Sequence, residues 1–277
     1  MNRKVQFRSA FVFLSLLCTA AIAAVGARPS IKQQPPPPQQ QTQPPTTGQQ
    51  IPLLPATPPV QQPVRPTLTV VVLDPAHGGA DSGARGSAGI NESEIVIDFS
   101  RAIRAALESQ GFRVVQTRTG NDDPSYDDRS AVANAQRGAV FISLHVSSTG
   151  TPGQVRVYSD LLPGVAGDGG PGGFSFPARN GLLPWDRAQE PYVGASRRLA
   201  EITQSWVAQK LSGAPSTPLS APIRQLRTVA APAIAIEISS VSVSNRDQLM
   251  KLAPGLADAV SQATAAFRLI YEGAARY

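Results

Sequence analysis

The chain has 277 residues, 42% of them hydrophobic, and its 25 Lys and Arg against 19 Asp and Glu give a net charge of +6. No run of basic residues is interleaved with aromatic side chains, so neither the charge nor its pattern indicates nucleic-acid binding. A positive balance of this size is compatible with an anionic partner but does not by itself indicate one.

The first 27 residues have the composition of a secretory signal peptide. Three basic residues precede an apolar stretch over residues 10–25, and small residues follow it. We expect cleavage after Ala27, with Ala23 as the alternative site, and hence a periplasmic or secreted, envelope-associated protein without stable membrane insertion. Retention of this stretch as a membrane anchor stays open, although it is shorter than the roughly 20 residues of a spanning helix.

Cleavage would leave 22 basic and 19 acidic residues, a net charge of +3. It would also remove Cys18, the single cysteine, so the mature chain would have no disulfide and no thiolate metal ligand. Residues 28–66 are dominated by Pro and Gln, which predicts a disordered, extended linker. The remaining residues, 67–277, are enough for one domain with a sizeable core.

Strand and helix patterns alternate along residues 67–277. Apolar, β-branched runs predict six strands, over residues 68–73, 112–117, 139–144, 154–158, 223–229 and 233–238. Amphipathic spacing predicts helices over residues 92–111, 127–136, 193–211 and 256–267, with Asn245 placed to cap a further helix. This alternation predicts an α/β fold, a three-layer sandwich with a mostly parallel central sheet of about six strands flanked by helices.

The only two histidines, His77 and His145, follow the ends of the first and third predicted strands. In open α/β sheets, the carboxyl ends of parallel strands border the crevice that holds ligands. Two imidazoles at the same edge, with carboxylates nearby, favour a metal site over two unrelated histidines. In a chain without cysteine, a zinc site must use histidine nitrogen and carboxylate oxygen, and catalytic zinc usually has three protein ligands.

Glu92 is the natural third ligand because it lies where the loop after His77 turns into a helix. Glu94 is the nearby competitor. Glu92 precedes Ile95 by three residues and lies near the apolar face of that helix, whereas Glu94 lies about 100° from Ile95, on the flank. We therefore prefer Glu92.

Glu237 is flanked by Ile236 and Ile238 at the end of a strand that we expect to be wholly buried. Burying a carboxylate there is costly unless a metal, a proton or a partner compensates. Beside water that a metal activates, such a glutamate suits general base and then general acid catalysis. A structural salt bridge, for instance to Arg227 or Arg118, is the alternative.

Several sequence blocks, in order, resemble the zinc-dependent N-acetylmuramoyl-L-alanine amidases of the Amidase_3 type. The opening block is Asp-Pro-Ala-His-Gly-Gly at residues 74–79, with Asp81 and Gly83 after it. The later blocks lie at residues 92–95, 117–118, 129, 133–134, 141–145, 232–237 and 244–245. The resemblance spans about residues 70–269, and the order and spacing of the blocks make it specific.

The resemblance implies hydrolysis of the amide between N-acetylmuramic acid and L-alanine in peptidoglycan. It implies one Zn²⁺ per domain, held by His77, Glu92 and His145, with Glu237 as general base and acid. Asp74 would orient His77 or a backbone amide, or else serves as a turn residue.

The other polar residues that match the family's blocks leave alternatives open. Arg118 and Arg129 would contact the acidic stem peptide, or else tie loops and pair with carboxylates such as Asp128. In some relatives of this family an inserted helix covers the zinc until an activator protein removes it, so an activator is a candidate partner. Gly and Pro in the predicted irregular loop over residues 160–191 oppose such a helix here. The loop aromatics either line a substrate edge or pin the loop to the core: Phe174, Phe176 and Trp185.

Three departures from the family pattern concern the surroundings of the site. Ala76 replaces a glycine, residues 146–147 replace an Ala-Asn pair, and residues 239–240 replace a Gly-Phe pair. The four polar residues of the site are all present, so these changes bear on substrate contacts more than on metal binding. They are His77, Glu92, His145 and Glu237. Two alternatives to the amidase stay open, namely a catalytically degenerate, zinc-containing wall-binding module and a zinc peptidase that cuts another wall amide.

Overall fold

The computed structural model describes residues 67–87, 89–162, 183–243 and 245–274. The predicted signal peptide (1–27), the linker (28–66), and most of the predicted loop, with Phe174 and Phe176, lie outside the described residues. Among the described helices, none combines the length and the apolar character needed to cross a membrane.

A six-stranded sheet forms the centre of the fold. Its strands are β1 (Val70–Pro75), β2 (Arg113–Gln116), β3 (Ala139–Val146), β4 (Val155–Asp160), β5 (Leu219–Ala221) and β6 (Ala233–Ile238). They lie side by side in the order β2-β1-β3-β6-β4-β5. The first four of these neighbours are parallel, whereas β4 runs antiparallel to β6 and β5 runs parallel to β4. The predicted mostly parallel sheet is confirmed.

Helices cover both faces of this sheet. They are α1 (Glu92–Ser109), α2 (Tyr126–Asn134), α3 (Val193–Lys210), α4 (Arg224–Arg227), α5 (Arg246–Met250) and α6 (Ala253–Ala274). Buried side chains of α1, α3 and α6 share one core cluster with the sheet, and those of α2 and α4 share a second. The three-layer sandwich is therefore confirmed. The predicted cap is also present, since Asn245 Oδ1 accepts from Gln248 N at 3.1 Å.

Alternation along the strands decides which residues reach the site. Side chains at every second position point to one face of a sheet. Val71 and Leu73 of β1 belong to the core under α1, whereas Val70 and Val72 belong to the core under α2 and α4. Continuing the second series, Asp74 in β1, His145 in β3 and Glu237 in β6 all lie on the face covered by the two shorter helices. A single face of the sheet thus carries the three singled-out residues that lie in its strands.

The predicted strand over residues 223–229 is wrong, because α4 occupies this segment and the sixth strand is β5. Ile223, Leu226 and Val229 are three residues apart, which is close to one helical turn and brings them to one side. Leu226 and Val229 are fully buried in the core under α4. Strand β3 also extends beyond its predicted end, so His145 lies inside the strand.

Candidate metal centre

His77 lies in a tight turn just after β1. Its backbone has φ 62, in the left-handed region that non-glycine residues rarely adopt. Two backbone hydrogen bonds close the turn, from Gly78 N to Asp81 O at 2.8 Å and from Asp81 N to Gly78 O at 2.9 Å. The turn presents the imidazole at the carboxyl edge of the sheet, where Nδ1 lies 2.7 Å from Asp81 Oδ2.

Glu92 begins α1 and is 5% exposed. Its two carboxylate oxygens reach both histidines, with 3.1 Å between Oε2 and His77 Nε2 and 3.1 Å between Oε1 and His145 Nδ1. Backbone amides hold the carboxylate, because Ala84 N donates to Oε2 at 2.8 Å and Val146 N donates to Oε1 at 2.9 Å. The competing Glu94 is exposed on the flank of the helix.

His145 projects from β3 towards the same point. Its Nε2 lies 3.3 Å from Ser143 Oγ and 3.4 Å from Gln225 Nε2. The rings of His77 and His145 are nearly perpendicular, with centroids 5.5 Å apart.

Close packing fixes the positions of His77 and Glu92. Gly83 has φ +64, and a Cβ added to it would lie 2.5 Å from Glu92 Oε2 and 2.6 Å from His77 Cδ2. Only glycine therefore allows the loop to pass this close to the two side chains.

The pKa values of Glu92 and His77 are both shifted in this cluster. Burial opposes the ionised form of Glu92, but hydrogen bonds with His145 and His77 and from the amide of Ala84 hold the pKa of this carboxyl well below its usual range. The hydrogen bond to Glu92, reinforced by Asp81 and opposed by burial, raises the pKa of His77 to about 9. A metal ion binds the unprotonated form of an imidazole, so a metal ion and a proton compete for His77.

The donor set fits a zinc ion. One ligand atom from each of His77, Glu92 and His145 lies within 4.8 Å of the others. Each histidine nitrogen lies 3.1 Å from one oxygen of Glu92, Oε2 for His77 and Oε1 for His145, so the carboxylate lies between the two rings. Two imidazoles and one carboxylate are also a common catalytic zinc set, which leaves the fourth position for water or substrate.

Glu237 lies beside this cluster. It pairs with His145 in the parallel register of β3 and β6, so the two residues lie on the same face about 4.8 Å apart along the sheet. The strand is buried as expected except at Glu237 itself, which is partly exposed. Within the described part of the chain neither Arg118 nor Arg227 pairs with Glu237. Arg156 of β4, however, lies opposite Glu237 in the antiparallel register, so the salt-bridge alternative stays open.

Asp74 is fully buried beneath the two histidines. Its Oδ1 accepts from Thr117 Oγ1 at 2.6 Å and from Arg129 Nη1 at 2.7 Å, and its Oδ2 accepts from Ser143 Oγ at 2.9 Å. Asp74 was expected to orient His77, but the carboxylate that contacts the His77 ring is that of Asp81. Asp74 instead contacts Ser143, whose hydroxyl lies next to the ring of His145.

The two buried arginines tie the loops of the site together. Arg118 donates to the carbonyl oxygens of Pro75, Ala76, Ser93 and Gly120, and so joins the His77 turn to the start of α1. Burial, followed by the nearby guanidinium of Arg129, lowers the pKa of Arg118.

Arg129 donates to the carbonyl oxygens of His77, Pro75 and Pro124 and to the carboxylate of Asp74. Asp128 instead caps α2 by pairing with Ser125. The geometry of both arginines corresponds to the loop-tying alternative, and substrate contact stays a prediction.

A cleft of about 220 Å³ opens beside the histidines. Asp81 and Asp123 line it together with Tyr126 and Gln225. Tyr126 is 42% exposed, and the guanidinium of Arg224 lies 5.0 Å from the centre of its ring. Trp185, from the flank of the predicted loop, is 49% exposed. The cleft gives a substrate access to the ligand cluster.

Comparison with known proteins identifies the family. The N-acetylmuramoyl-L-alanine amidase family, Amidase_3, matches residues 71–266. The chain belongs to this family. The resemblance found in the sequence blocks is thereby confirmed, and the match covers nearly all of the described fold.

Curated amidases align with part of this family member. N-acetylmuramoyl-L-alanine amidase AmiC of Neisseria meningitidis is 35% identical over 83 residues, which are 30% of this chain and 20% of that protein. The sporulation-specific N-acetylmuramoyl-L-alanine amidase of Bacillus subtilis is 34% identical over 94 residues, 33% of this chain and 36% of that protein. The chain thus spans only about a fifth to two-fifths of the length of these curated relatives.

A solved amidase has the same fold. The N-acetylmuramoyl-L-alanine amidase of Clostridium difficile 630 superposes with a TM-score of 0.54 at 21% identity, covering 73% of this chain and 97% of that one. At this identity the likeness bears on the fold alone, and it agrees with the α/β architecture described above.

Three residues of this amidase-family site carry roles that the sequence did not indicate. Asp81 and Gly83 lie in the opening block, but only the turn geometry shows that one contacts His77 and the other admits the ligands. Ser143 could have been found from alternation, since it precedes His145 by two residues in a strand and so shares its face.

Proposed function

We propose that this chain is a zinc-dependent amidase that hydrolyses the amide between N-acetylmuramic acid and L-alanine in peptidoglycan. The proposal depends on one observation above all, the convergence of His77, Glu92 and His145 at the carboxyl edge of the sheet. Membership of the amidase family supports peptidoglycan as the substrate. These three residues would hold one Zn²⁺.

The chemistry divides between the cofactor and Glu237. Zinc, when bound, supplies a Lewis acid that activates water and polarises the carbonyl of the substrate. Glu237 takes the proton from the attacking water and delivers it to the leaving amine of L-alanine. Its partial exposure on the strand next to His145 supports this role, because water and the substrate amine need access to the carboxylate.

The buried polar residues give the site its rigidity. Arg118 links the His77 turn to the helix that begins with Glu92, and Arg129 links the same turn to Asp74. Asp74 in turn supports His145 through Ser143. Ligands held in this way need little reorganisation when a metal binds, which favours both affinity and catalysis.

Two competing functions follow from the departures in sequence around the site. Ala76, residues 146–147 and residues 239–240 differ from the family pattern at positions that border the ligands. They bear on substrate contacts more than on metal binding, and so keep two alternatives in competition with the amidase: a catalytically degenerate wall-binding module and a zinc peptidase that cuts another wall amide.

Product analysis separates these functions. The full chain, loaded with zinc, is incubated with purified peptidoglycan, and the soluble products are analysed by mass spectrometry. We expect stem peptides with a free amino terminus on L-alanine, and a rate lower by about 100-fold or more for Glu237→Gln. Peptides cut at another amide would indicate a peptidase, and co-sedimentation with the wall without release would indicate a binding module.

A secreted or periplasmic location completes the proposal. It is supported by the signal-like sequence of residues 1–27 and by a substrate that lies outside the cytoplasmic membrane. Amino-terminal sequencing of the exported chain tests it, with Arg28 expected as the first residue. An activator protein remains a candidate partner, and activity of the purified chain alone would argue against a need for one.

A further inference from the structure

We propose that Asp81 is a positioning residue that makes His77 a zinc ligand, by holding its ring in the tautomer that leaves Nε2 free. This inference rests on the zinc centre proposed above. Asp81 contacts His77 but is not one of the three residues of the ligand cluster.

The two ring nitrogens of His77 face different carboxylates. Nδ1 lies 2.7 Å from Asp81 Oδ2, and Nε2 lies 3.1 Å from Glu92 Oε2, inside the cluster. A ligand imidazole usually donates its other N–H to a carboxylate or carbonyl, which fixes both the tautomer and the ring orientation. A hydrogen on Nδ1, donated to Asp81, leaves the lone pair of Nε2 directed towards the metal position.

Asp81 is itself held in place at both carboxylate oxygens. While Oδ2 contacts His77, Oδ1 accepts from Gly83 N at 3.0 Å. Its backbone pairs in both directions with Gly78, so the turn around His77 is closed by the residue that contacts the ring. Because the carboxylate cannot rotate without losing one of these bonds, the direction of its acceptor towards His77 is fixed.

His77 needs such an anchor more than His145 does. His145 lies inside β3, where the sheet fixes its backbone. His77 lies in a turn with φ 62, in the left-handed region that non-glycine residues rarely adopt. Without a partner at Nδ1, only packing against Gly83 and the contact with Glu92 would hold the ring of His77, and neither selects the tautomer that the metal needs.

The substitution Asp81→Asn separates hydrogen bonding from size. An asparagine has one acceptor oxygen and one NH₂ group. If its oxygen accepts from Gly83 N, its NH₂ group faces Nδ1 of His77 and favours the tautomer that carries the hydrogen on Nε2, the nitrogen needed by the metal. Asp123→Asn is the matched control, because Asp123 is also an exposed carboxylate that lines the same cleft.

Zinc affinity of the full chain, measured by competition with a chromogenic chelator, is the first readout. We expect Asp81→Asn to weaken zinc binding by about 10–100-fold and Asp123→Asn to leave it unchanged. The second readout is ¹⁵N NMR of the zinc-saturated chain, which contains only two histidines. We expect the Nδ1–H signal of His77 in the unsubstituted chain and its loss by exchange with water in Asp81→Asn.

Three results would overturn the inference. The first is equal zinc affinity of Asp81→Asn and the unsubstituted chain with hydrolysis retained. The second is an equal loss of zinc affinity in Asp81→Asn and Asp123→Asn. The third is unchanged zinc affinity of Asp81→Asn together with lost hydrolysis, which would make Asp81 a proton-transfer residue. Failure of the unsubstituted chain to bind zinc would instead overturn the proposed zinc centre, and this inference with it.

Discussion

The contact of Gly83 with the ligand pair makes Gly83→Ala the sharpest test of how the site is packed. A Cβ at this position would lie 2.5 Å from Glu92 Oε2 and 2.6 and 2.8 Å from two atoms of the His77 ring. To restore ordinary contact at about 3.4 Å, these atoms must move by about 0.6–0.9 Å. A zinc ligand tolerates about 0.2 Å, so two of the three ligands would leave their positions.

Gly89→Ala is the matched control. Gly89 also has positive φ, +73 against +64 for Gly83, but a Cβ added to it meets no described atom within 4 Å. Both variants therefore carry the backbone cost of alanine in the left-handed region, roughly 1–2 kcal/mol, and only Gly83→Ala adds the clash, about 1–3 kcal/mol more.

Urea unfolding and zinc competition together measure this difference. We expect Gly83→Ala to unfold at lower urea than Gly89→Ala and to bind zinc about 100-fold more weakly, while Gly89→Ala binds zinc like the unsubstituted chain. Equal zinc affinity of the two variants would refute the claim that Gly83 admits the ligands.

The remaining predictions concern single residues of the site and its surroundings. His77→Ala should lose its zinc on dialysis. One zinc per chain in a metal analysis of the dialysed variant would contradict this. Glu237→Ala should retain zinc yet lose hydrolysis, and loss of the metal by a folded variant would make Glu237 a ligand. Asp74→Ala should lower the free energy of unfolding by about 3–5 kcal/mol in urea, because it removes the buried carboxylate of the Asp74–Arg129 ion pair; a loss under about 1 kcal/mol would count against that. Burial raises the pKa of Asp160, so its ionisation costs stability as pH rises through the folded-state pKa. Asp160→Asn should therefore gain more stability over the unsubstituted chain near pH 7 than near pH 4, and the reverse order would contradict this.

Strand periodicity made much of the site predictable. Asp74, His145 and Glu237 end or nearly end buried parallel strands, and the carboxyl ends of such strands meet at one edge. Glu92 was predictable from its position around α1. It lies near the apolar face and is buried, whereas Glu94 lies on the flank and is exposed.

The parts that could not be predicted depend on loops and on short segments. The turn that gives His77 its left-handed backbone also brings Asp81 to its ring, and no periodicity encodes this. Residues 223–229 carry a spacing of three that a single turn of helix satisfies, but the segment is too short for the pattern to exclude a strand. Glu237 is less buried than its neighbours in β6, which the apolar sequence of the strand does not reveal.

Anomalous diffraction at the zinc edge, from crystals of the zinc-loaded chain, tests the central claim most directly. The account predicts one strong peak, bonded to His77, Glu92 and His145 at about 2.0–2.2 Å. A peak held by other residues, or none in a chain loaded with excess zinc, would contradict it.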